Sequence, residues 1–281
     1  MPVFSILILL SVFLFSFFGH IFYNVDAYTL NADSILVSPS LDHLLGTDRL
    51  GRDILARLME GGQVSLTIGV GSAFIASIIG LLLGSIAGYL RGSVDKAFIV
   101  VVDLFLTFPT FFLLLALVSY VNASAWVLIV IISITGWMTT ARLIRSESFK
   151  ITSQPYIKIL NIAKVKKLKI LFKYYAPILA PIYFVSFTFG VGGAILAESG
   201  LSFLGLGIVA PQMSWGTILS AGKDVVEIAW WVSFFPGLMI FLVTFSLINI
   251  SQLPTLFIVE VFPCIMFVAR TTLAPKTWAI L

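Results

Sequence analysis

The chain is poor in charged residues, which make up only 11% of its 281 positions. In contrast, 59% of its residues are hydrophobic and 14% are aromatic, and its mean hydropathy is +1.09. Soluble domains contain about 45–50% apolar residues, so the composition excludes an ordinary water-soluble protein and predicts one that uses the lipid bilayer as solvent. Basic loops between membrane spans explain the net charge of +4, and we expect no binding to nucleic acid.

Cysteine and histidine are almost missing as well. A single cysteine, Cys264, excludes an internal disulfide framework. His20 and His43 are the only histidines, and neither has a second ligand at metal-binding spacing, so we expect no metal site. The phosphate-binding pattern G-x-x-x-x-G-K-[ST] is absent, and no nucleophile–base pair stands out. These absences predict a chain that is not an enzyme and that binds no cofactor itself.

Long apolar runs dominate what is present. A bilayer-spanning helix needs roughly 20 mainly apolar residues. Six stretches meet this requirement: Pro2–Phe22, Val64–Leu90, Lys96–Val121, Ala125–Leu143, Pro177–Gly200 and Ile228–Ile250. No Lys or Arg precedes the first stretch, and it is longer than the roughly 7–15 apolar residues of a signal peptide, so we favour a retained anchor over a cleaved signal. The predicted fold class is all-α, a polytopic membrane protein with about six transmembrane helices.

The charges divide the chain and orient it. Nine of the 17 Lys and Arg residues lie between Arg142 and Lys173, with Glu147 the only acid among them. The positive-inside rule therefore places both termini and the loops after the second and fourth spans in the cytoplasm. The predicted regions are an anchor (1–22), an extracytoplasmic segment (23–62), a five-helix core (63–250) and an atypical hydrophobic tail (251–281).

That tail is a poor seventh span, because charged residues and a proline interrupt its apolar run at Glu260, Pro263 and Arg270. We interpret it as an interfacial tail or as the product of an altered reading frame. The mass of the intact protein distinguishes these two interpretations.

Six lysines fall within sixteen residues of a lysine-rich segment, Ser153–Leu179. Apolar residues recur there at spacings of three and four, which predicts a short amphipathic helix, or two helices with a turn between them. Two interpretations remain open at this point. The segment lies on anionic lipid head groups, or a protein partner docks on it.

Asp103 is an ionisable residue inside the third apolar span. Such a side chain is costly in a membrane and is expected to face a bundle interior or water. We favour a structural hydrogen bond to a Ser or Thr of a neighbouring helix over a direct role in transport. Pro109, six residues later, removes a backbone hydrogen bond and predicts a kink that would help a bundle to open.

Glu198 comes about 21 residues after Pro177, so we expect it at the outer interface, where its desolvation cost is small. The sequence SGLSFLGLG follows, with Pro211 beyond it, and predicts a break in regular helix. Irregular backbone at membrane depth must be covered by protein or line a cavity. A re-entrant plug and an outer gate are both compatible with this pattern, and its candidate residues are Glu198, Ser202, Phe203 and Gly205.

Two further patterns concern packing. Gly80, Gly84 and Gly88 lie four residues apart in the second span, which favours close contact with another helix of this chain or of a partner. In the extracytoplasmic segment, the sequence GTDRLGRD alternates acids and bases. We expect these residues to pair locally and to cap the next helix: Asp48, Arg49, Arg52 and Asp53.

Four stretches, in this order, resemble permeases of the dipeptide/oligopeptide/nickel importer family, and the second permease of the pair is the most similar. They are His43–Gly69, Val101–Leu117, Gly136–Glu147 and Glu198–Gly222. The resemblance covers the chain from about His43 to Asn249. It implies the membrane subunit of a type I ABC importer, with the segment between the last two helices acting as an outer gate and docking surface.

The resemblance also assigns a role to the lysine-rich segment. Such permeases carry a cytoplasmic loop with a Glu-Ala-Ala signature, a later Gly and then a Pro, which here is Pro177. Here Lys, Ile and Leu occupy the three signature positions and a Lys replaces the Gly, so the usual signature chemistry and the permissive turn are missing. The implied docking residues for an ATPase subunit are Tyr156, Lys158, Ile159, Leu160, Lys164, Leu168 and Phe172.

The implied partners are a second permease subunit, two ATPase subunits that bind ATP and Mg, an extracytoplasmic substrate-binding protein and the lipid bilayer. The implied location is a bacterial or archaeal cytoplasmic (inner) membrane. We favour peptides over nickel as substrate because no cluster of metal ligands occurs. A stand-alone secondary carrier or channel is the alternative, although no internal repeat supports it. A structural scaffold is disfavoured by Asp103 and by the gate-like glycine segment.

Overall fold

The computed structural model describes residues 2–252, and the regular structure in this range is helical, which confirms the all-α class. The longer helices are α1 (Pro2–Phe22), α2 (Ile54–Leu90), α3 (Gly92–Thr107), α4 (Thr110–Val118), α5 (Ala125–Ser153), α6 (Pro155–Ile162), α7 (Lys167–Ile170), α8 (Ala176–Phe203), α9 (Trp215–Gly222) and α10 (Trp231–Ser251). A 3-10 turn lies at Ala32–Ser34, and a π-helical turn, Leu171–Tyr175, joins α7 to α8. The predicted tail lies outside the described residues beyond position 252, as do the side chains of Leu168 and Phe172.

Five helices are long and apolar enough to cross a membrane, namely α1, α2, α5, α10 and α8 with the turn before it. They correspond to five of the six predicted spans, but two of them are longer than expected. Helix α2 begins at Ile54, ten residues early, because the Asp53 side chain accepts from the Ala56 N–H and caps the helix. Helix α5 continues to Ser153, so its last turns lie beyond the apolar run that revealed it.

The third predicted span, Lys96–Val121, is present as a bent pair of helices and not as one continuous helix. It is divided into α3 and α4, which meet at an angle of 77°. The break falls at Phe108 and Pro109, where both residues have extended or non-helical backbone angles. The predicted effect of Pro109 is therefore confirmed, since proline cannot supply the N–H that a continuous helix requires.

The glycine face of α2 packs against α5 of the same chain. A Cβ atom placed on Gly80 would lie 2.8 Å from the Thr140 Cβ, and one on Gly88 would lie 2.5 Å from the Ser148 Cβ. On Gly84, it would clash with the α5 backbone at Ala141. The predicted packing role is confirmed, and the neighbour is internal.

Side chains from α2, α5 and α8 fill the centre of the bundle, and α1, α9 and α10 cover one side. Trp215 of α9 is fully buried, and its indole N–H donates to the Leu58 carbonyl at 3.0 Å. Trp231 of α10 donates in the same way to the Thr47 carbonyl at 3.1 Å. We call this the tryptophan end of the bundle. The other end, which carries the lysine-rich segment, is the lysine end.

The predicted local pairing in the segment before α2 is confirmed for Asp48, which accepts from the Arg52 Nε at 2.8 Å and from two backbone N–H groups. Arg49 differs, because its guanidinium lies 3.3 Å from Asp224 in the segment after α9. This pair is about half-exposed on both sides and joins two parts of the tryptophan end.

Asp53 combines its helix cap with two side-chain contacts. The Tyr23 hydroxyl donates to its Oδ2 at 2.9 Å, and His43 Nδ1 lies 3.0 Å from the same oxygen. Burial, and next the hydrogen bond to Asp53, raise the pKa of Tyr23 to about 12, so its hydroxyl remains a donor at neutral pH. Three chain segments are thereby fixed at the start of α2.

Candidate functional site

A cavity of about 430 Å³ lies between α2, α4, α5 and α8. Its lining contains no charged side chain and consists of small, apolar and hydroxyl-bearing residues. Seven hydroxyl groups come from all four helices: Ser72, Ser77, Thr110, Thr135, Thr139, Thr140 and Ser186. The cavity therefore offers many weak hydrogen-bonding groups and no fixed charge.

Two of these hydroxyls are buried without a partner. The Oγ atoms of Ser72 and Ser186 make no hydrogen bond to any described residue, although the two residues are only 0% and 9% exposed. By contrast, Ser77 bonds the Phe74 carbonyl and the Tyr183 hydroxyl. Both atoms are closed to a water-sized molecule, and an unmade buried hydrogen bond costs about 1–3 kcal/mol, so a side-chain rotation that brought them to a polar guest would be favourable.

Glycines keep the cavity open. A Cβ atom on Gly193 would meet nothing within 4 Å, and one on Gly136 would meet only the Ala76 Cβ at 3.6 Å. Gly190 is tighter, with the Ala73 Cβ at 3.2 Å. Helices α5 and α8 therefore present bare backbone to the space, and the first atom of a side chain at Gly193 would enter it without contact with a neighbour.

Glu198 lies on α8 beside the tryptophan end, and it contradicts our prediction of a small desolvation cost. The residue is 0% exposed. The hydroxyls of Ser202 and Ser214 donate to its Oε1 at 2.6 Å each, and those of Ser65 and Ser199 lie 3.3 and 3.5 Å from its Oε2. The prediction was wrong because α9 and α2 cover the end of α8, which the length of the apolar run could not reveal.

We call these five residues the Glu198 cluster, and it joins three helices. Ser65 belongs to α2, and its hydroxyl also accepts from the Trp215 backbone N–H at 3.1 Å. Ser214 caps α9 by accepting from the Thr217 N–H. The carboxyl group therefore connects α8 to α2 and to α9, in addition to the direct packing between these helices.

The other gate candidates follow directly. Ser202 belongs to the Glu198 cluster, Phe203 ends α8 and is 39% exposed, and Gly205 lies in the next loop with a φ of +81°. That φ favours glycine, because a side chain would be strained there. The segment then returns into the bundle as α9, whose Trp215 is buried. The predicted plug, packed between helices, describes this geometry.

Asp103 also departs from prediction. Its Oδ1 accepts from the Arg142 Nη2 of α5 at 2.7 Å, and not from a Ser or Thr of a neighbouring helix. The side chains of Asp103 and Arg142 are 60% and 54% exposed. The two residues are 39 positions apart, so only the crossing of α3 and α5 brings this partner within reach.

A second acid–base pair joins the same helices nearer the lysine end. Asp95 accepts from the Arg145 guanidinium through both carboxylate oxygens, and the two side chains are only 14% and 24% exposed. A bidentate contact of this kind fixes orientation as well as distance. Helix α3 is thus held firmly at one point and by a single exposed contact at another.

The lysine-rich segment forms two short helices separated by a turn, which confirms the predicted amphipathic pattern. On α6, Ile157 is fully buried against Ile144, Ile151 and Tyr175, and Leu160 packs on the same cluster. We call the opposite side of α6 the α6 outer face. It carries exposed residues, with Ile159 at 64% and Ile162 at 81%: Tyr156, Lys158, Ile159 and Ile162.

Lys164 occupies the turn after α6 with a φ of +54°. This is the left-handed region that glycine adopts readily and that other residues adopt at a cost. The turn that a glycine would permit is therefore present although the glycine is missing.

Sequence reasoning missed the cavity residues of α8. Ser186, Gly190 and Gly193 recur at spacings of four and three, which places them on one face of the helix. That spacing was a readable signal for a small-residue face.

Comparison with known proteins agrees with the membrane architecture. A family model described as "Binding-protein-dependent transport system inner membrane component" matches residues 80–253. The oligopeptide transport system permease protein OppC of Bacillus subtilis (strain 168) is 33% identical over 233 residues, which is 83% of this chain and 76% of that protein. The dipeptide transport system permease protein DppC of the same strain is 34% identical over 209 residues, which is 74% of this chain and 65% of that protein.

A third relative is the oligopeptide transport system permease protein OppC of Haemophilus influenzae. It is 32% identical over 203 residues, which is 72% of this chain and 65% of that protein. The family model covers more than half of this chain, including α5, α8, α9 and α10. The chain therefore belongs to the family of inner membrane components of binding-protein-dependent transport systems.

Proposed function

We propose that this permease subunit imports short peptides and forms half of the translocation pathway. The hydroxyl-lined cavity between α2, α4, α5 and α8 carries this proposal. Its volume of about 430 Å³ falls within the range of about 300–1,000 Å³ of ligand pockets, and two of its hydroxyls lack partners among residues 2–252.

The chemistry of the cavity suits peptides. Hydroxyl groups both donate and accept, so they can bond the N–H and C=O groups of any peptide backbone. Because no charged residue lines the cavity, no side-chain charge on the substrate is selected there. The names of the relatives, which refer to oligopeptide and dipeptide transport, support peptides over nickel.

The α6 outer face provides the coupling to an ATPase subunit. Ile157 is fully buried and Leu160 is partly buried, so both anchor α6 to the bundle and Leu160 leaves only part of its side chain for a partner. The exposed Ile159 and Ile162 lie with Lys158 on the side of α6 that faces away from Ile157, since positions 158, 159 and 162 point to one side of a helix. A partner groove with an apolar floor and an acidic group would complement this face.

The remaining partners complete an importer of this type. A second permease subunit would close the pathway, two ATPase subunits would bind ATP and Mg, and a substrate-binding protein would dock at the tryptophan end. The lysine end then faces the cytoplasm of a bacterial or archaeal cell, in accordance with the positive-inside rule. ATP binding and hydrolysis by the partners would drive the alternation, and this subunit would transmit the movement.

The proposal is tested by uptake of a labelled peptide into vesicles that contain the whole importer, with binding protein and ATP. The Gly193→Leu substitution should fill the cavity and abolish most uptake while the complex still assembles. Phe184→Trp adds bulk on the opposite side of the same helix, nine residues from Gly193, and should leave uptake unchanged. Equal uptake by wild type and Gly193→Leu would refute a pathway through this cavity.

Coupling is tested by copurification of the ATPase subunits. Ile159→Asp should release them, whereas Lys166→Gln makes the same change in net charge outside α6 and should retain them. A stand-alone carrier, the alternative function, would instead show uptake driven by an ion gradient without any ATPase subunit.

A further inference from the structure

The exposed side chains of Asp103 and Arg142 lie on α3 and α5, two helices that are otherwise largely apolar. Asp103 lies about 17 Å along α3 from Gly92, and Arg142 lies about 17 Å along α5 from Ser153, at 1.5 Å per residue. The apolar run of α5 ends at Leu143, so with a hydrocarbon core of about 30 Å Asp103 lies inside the span and Arg142 lies near its inner boundary. Large apolar side chains surround Asp103 on α3, with Val100 at 67% and Leu104 at 62% exposed.

Charges at this depth do not remain against lipid chains. Ionisable residues in membrane helices face a bundle interior or a water-filled space, because hydrocarbon cannot solvate them. Within the described residues, each member of this pair has only the other as its ionic partner, and each is more than half open. The surface that carries the pair is therefore unsuited to lipid, and the proposal below requires that it face water in the assembled importer.

The pair also continues one wall of the cavity. On α5, Thr135, Thr139 and Leu143 line the cavity, and Arg142 lies three residues from Thr139, on the same side of the helix. No residue of α3 belongs to the cavity lining. Asp103 and Arg142 thus lie where the cavity ends in the direction of the lysine end.

Helix α3 is built to swing at this point. Val102 is its only buried residue, so little packing holds it. The bidentate contact of Asp95 with Arg145 fixes its start, and the break at Pro109 separates its other end from α4. Among the described residues, the contact of Asp103 with Arg142 is the remaining side-chain hydrogen bond from α3 to another helix, and a small movement would open it.

We propose that the Asp103–Arg142 pair is a latch that closes the inner end of the pathway, and that it opens when α3 swings away from α5. This inference rests on the proposed function, because it assumes that the cavity is the pathway. Both residues act by positioning α3, and neither is required to bind substrate. A latch of this kind prevents a leak between transport cycles.

The first test measures whether water reaches the surface of α3 around Asp103 in the assembled importer. Cys264→Ser removes the single native cysteine, so that each variant carries one cysteine at a chosen position. Single cysteines at Val100 and Thr107 flank Asp103 by one turn, and both positions are exposed. A charged, membrane-impermeant thiol reagent should modify both, whereas a cysteine at Leu7, an exposed position of α1, should react far more slowly. Uniformly slow reaction at Val100 and Thr107 would overturn the water-filled face.

The latch itself is tested by leak of a small labelled peptide from vesicles without ATP or binding protein. Asp103→Asn and Arg142→Gln should each raise the leak about fivefold, which is the shift in open population that about 1 kcal/mol produces. The exchanged pair, Asp103→Arg with Arg142→Asp, should restore most of the seal, which a merely structural loss would not do. An unchanged leak in both single variants would overturn the latch.

The two proposals fail in different ways. If Gly193→Leu leaves ATP-driven uptake unchanged, the pathway does not run through the cavity and the proposed function falls. If Gly193→Leu blocks uptake but the single variants do not leak, the pathway stands and only the latch is refuted.

Discussion

Two acidic residues in membrane-spanning helices differ in burial, and in each case the burial is the opposite of what the position in the sequence predicts. Asp103, in the middle of an apolar span, is 60% exposed and pairs with an arginine. Glu198, near the end of a span, is fully buried and is surrounded by serines. The difference shows that depth along one helix does not determine how an acid is solvated; the helices that cover it do.

The partners differ for a physical reason. Moving two charges from water to a dry interior costs several kcal/mol per ion, so ionic pairing is best suited to places that retain water. Hydroxyl groups can satisfy a buried carboxyl group without introducing a second charge. Glu198 is therefore suited to a permanent contact between α8, α2 and α9, whereas the exposed Asp103 is suited to a contact that can open and close.

Replacement of Glu198 should have the largest effect on stability. Glu198→Ala removes the acceptor of two strong hydrogen bonds and two weaker ones in a fully buried site. Since each unsatisfied buried group costs about 1–3 kcal/mol, we expect a loss of about 3 kcal/mol or more. Thermal unfolding in detergent, followed by tryptophan fluorescence, measures it, because Trp215 adjoins the cluster.

Glu198→Gln is the matched control for this change. It keeps the shape and one acceptor oxygen, so its loss should be clearly smaller. If Glu198→Ala unfolds at the wild-type temperature, the four serines satisfy one another, and the carboxyl group does not hold the helices together.

The next prediction separates strong from weak contacts inside the Glu198 cluster. Ser214→Ala removes a 2.6 Å hydrogen bond and the cap of α9, and we expect a loss of about 1–2 kcal/mol. Ser199→Ala removes a contact of 3.5 Å and should cost less than about 0.5 kcal/mol. Similar losses in the two variants would mean that the distances do not rank the contacts.

Much of the fold was readable from sequence, because apolar runs and prolines act locally. The five long spans, the break at Pro109 and the glycine face of α2 all depend on neighbours within a few turns. The partners of Glu198 and Asp103 do not. Ser65 is 133 positions from Glu198, and Arg142 is 39 positions from Asp103, so only the packed helices bring them together.

The lysine-rich segment contains a third charged residue of interest, Lys164, for which the backbone conformation determines the effect on stability. Lys164 has a φ of +54°, which costs about 1–2 kcal/mol for a residue other than glycine. Lys164→Gly removes this cost, but the unfolded chain gains conformational freedom from the glycine, which offsets about 0.5–1 kcal/mol. We therefore expect Lys164→Gly to stabilise the folded protein by about 0.5–1 kcal/mol. Lys166 has no positive φ, so Lys166→Gly should lower the free energy of unfolding. If both substitutions lower it, the effect comes from loss of the lysine side chain and not from the backbone conformation.

The smallest effect on stability is expected at the Asp103–Arg142 pair, and it tests the comparison most directly. A double-mutant cycle with Asp103→Ala and Arg142→Ala should give a coupling energy below about 1 kcal/mol if water reaches both groups. A pair sealed from water would instead lose about 3–5 kcal/mol when one partner is removed. The same cycle on Asp95 and Arg145, which are less exposed and share two hydrogen bonds, should give the larger coupling energy. The reverse order would mean that the exposed pair is covered in the assembled protein, and that α3 is fixed at the point where the latch requires it to move.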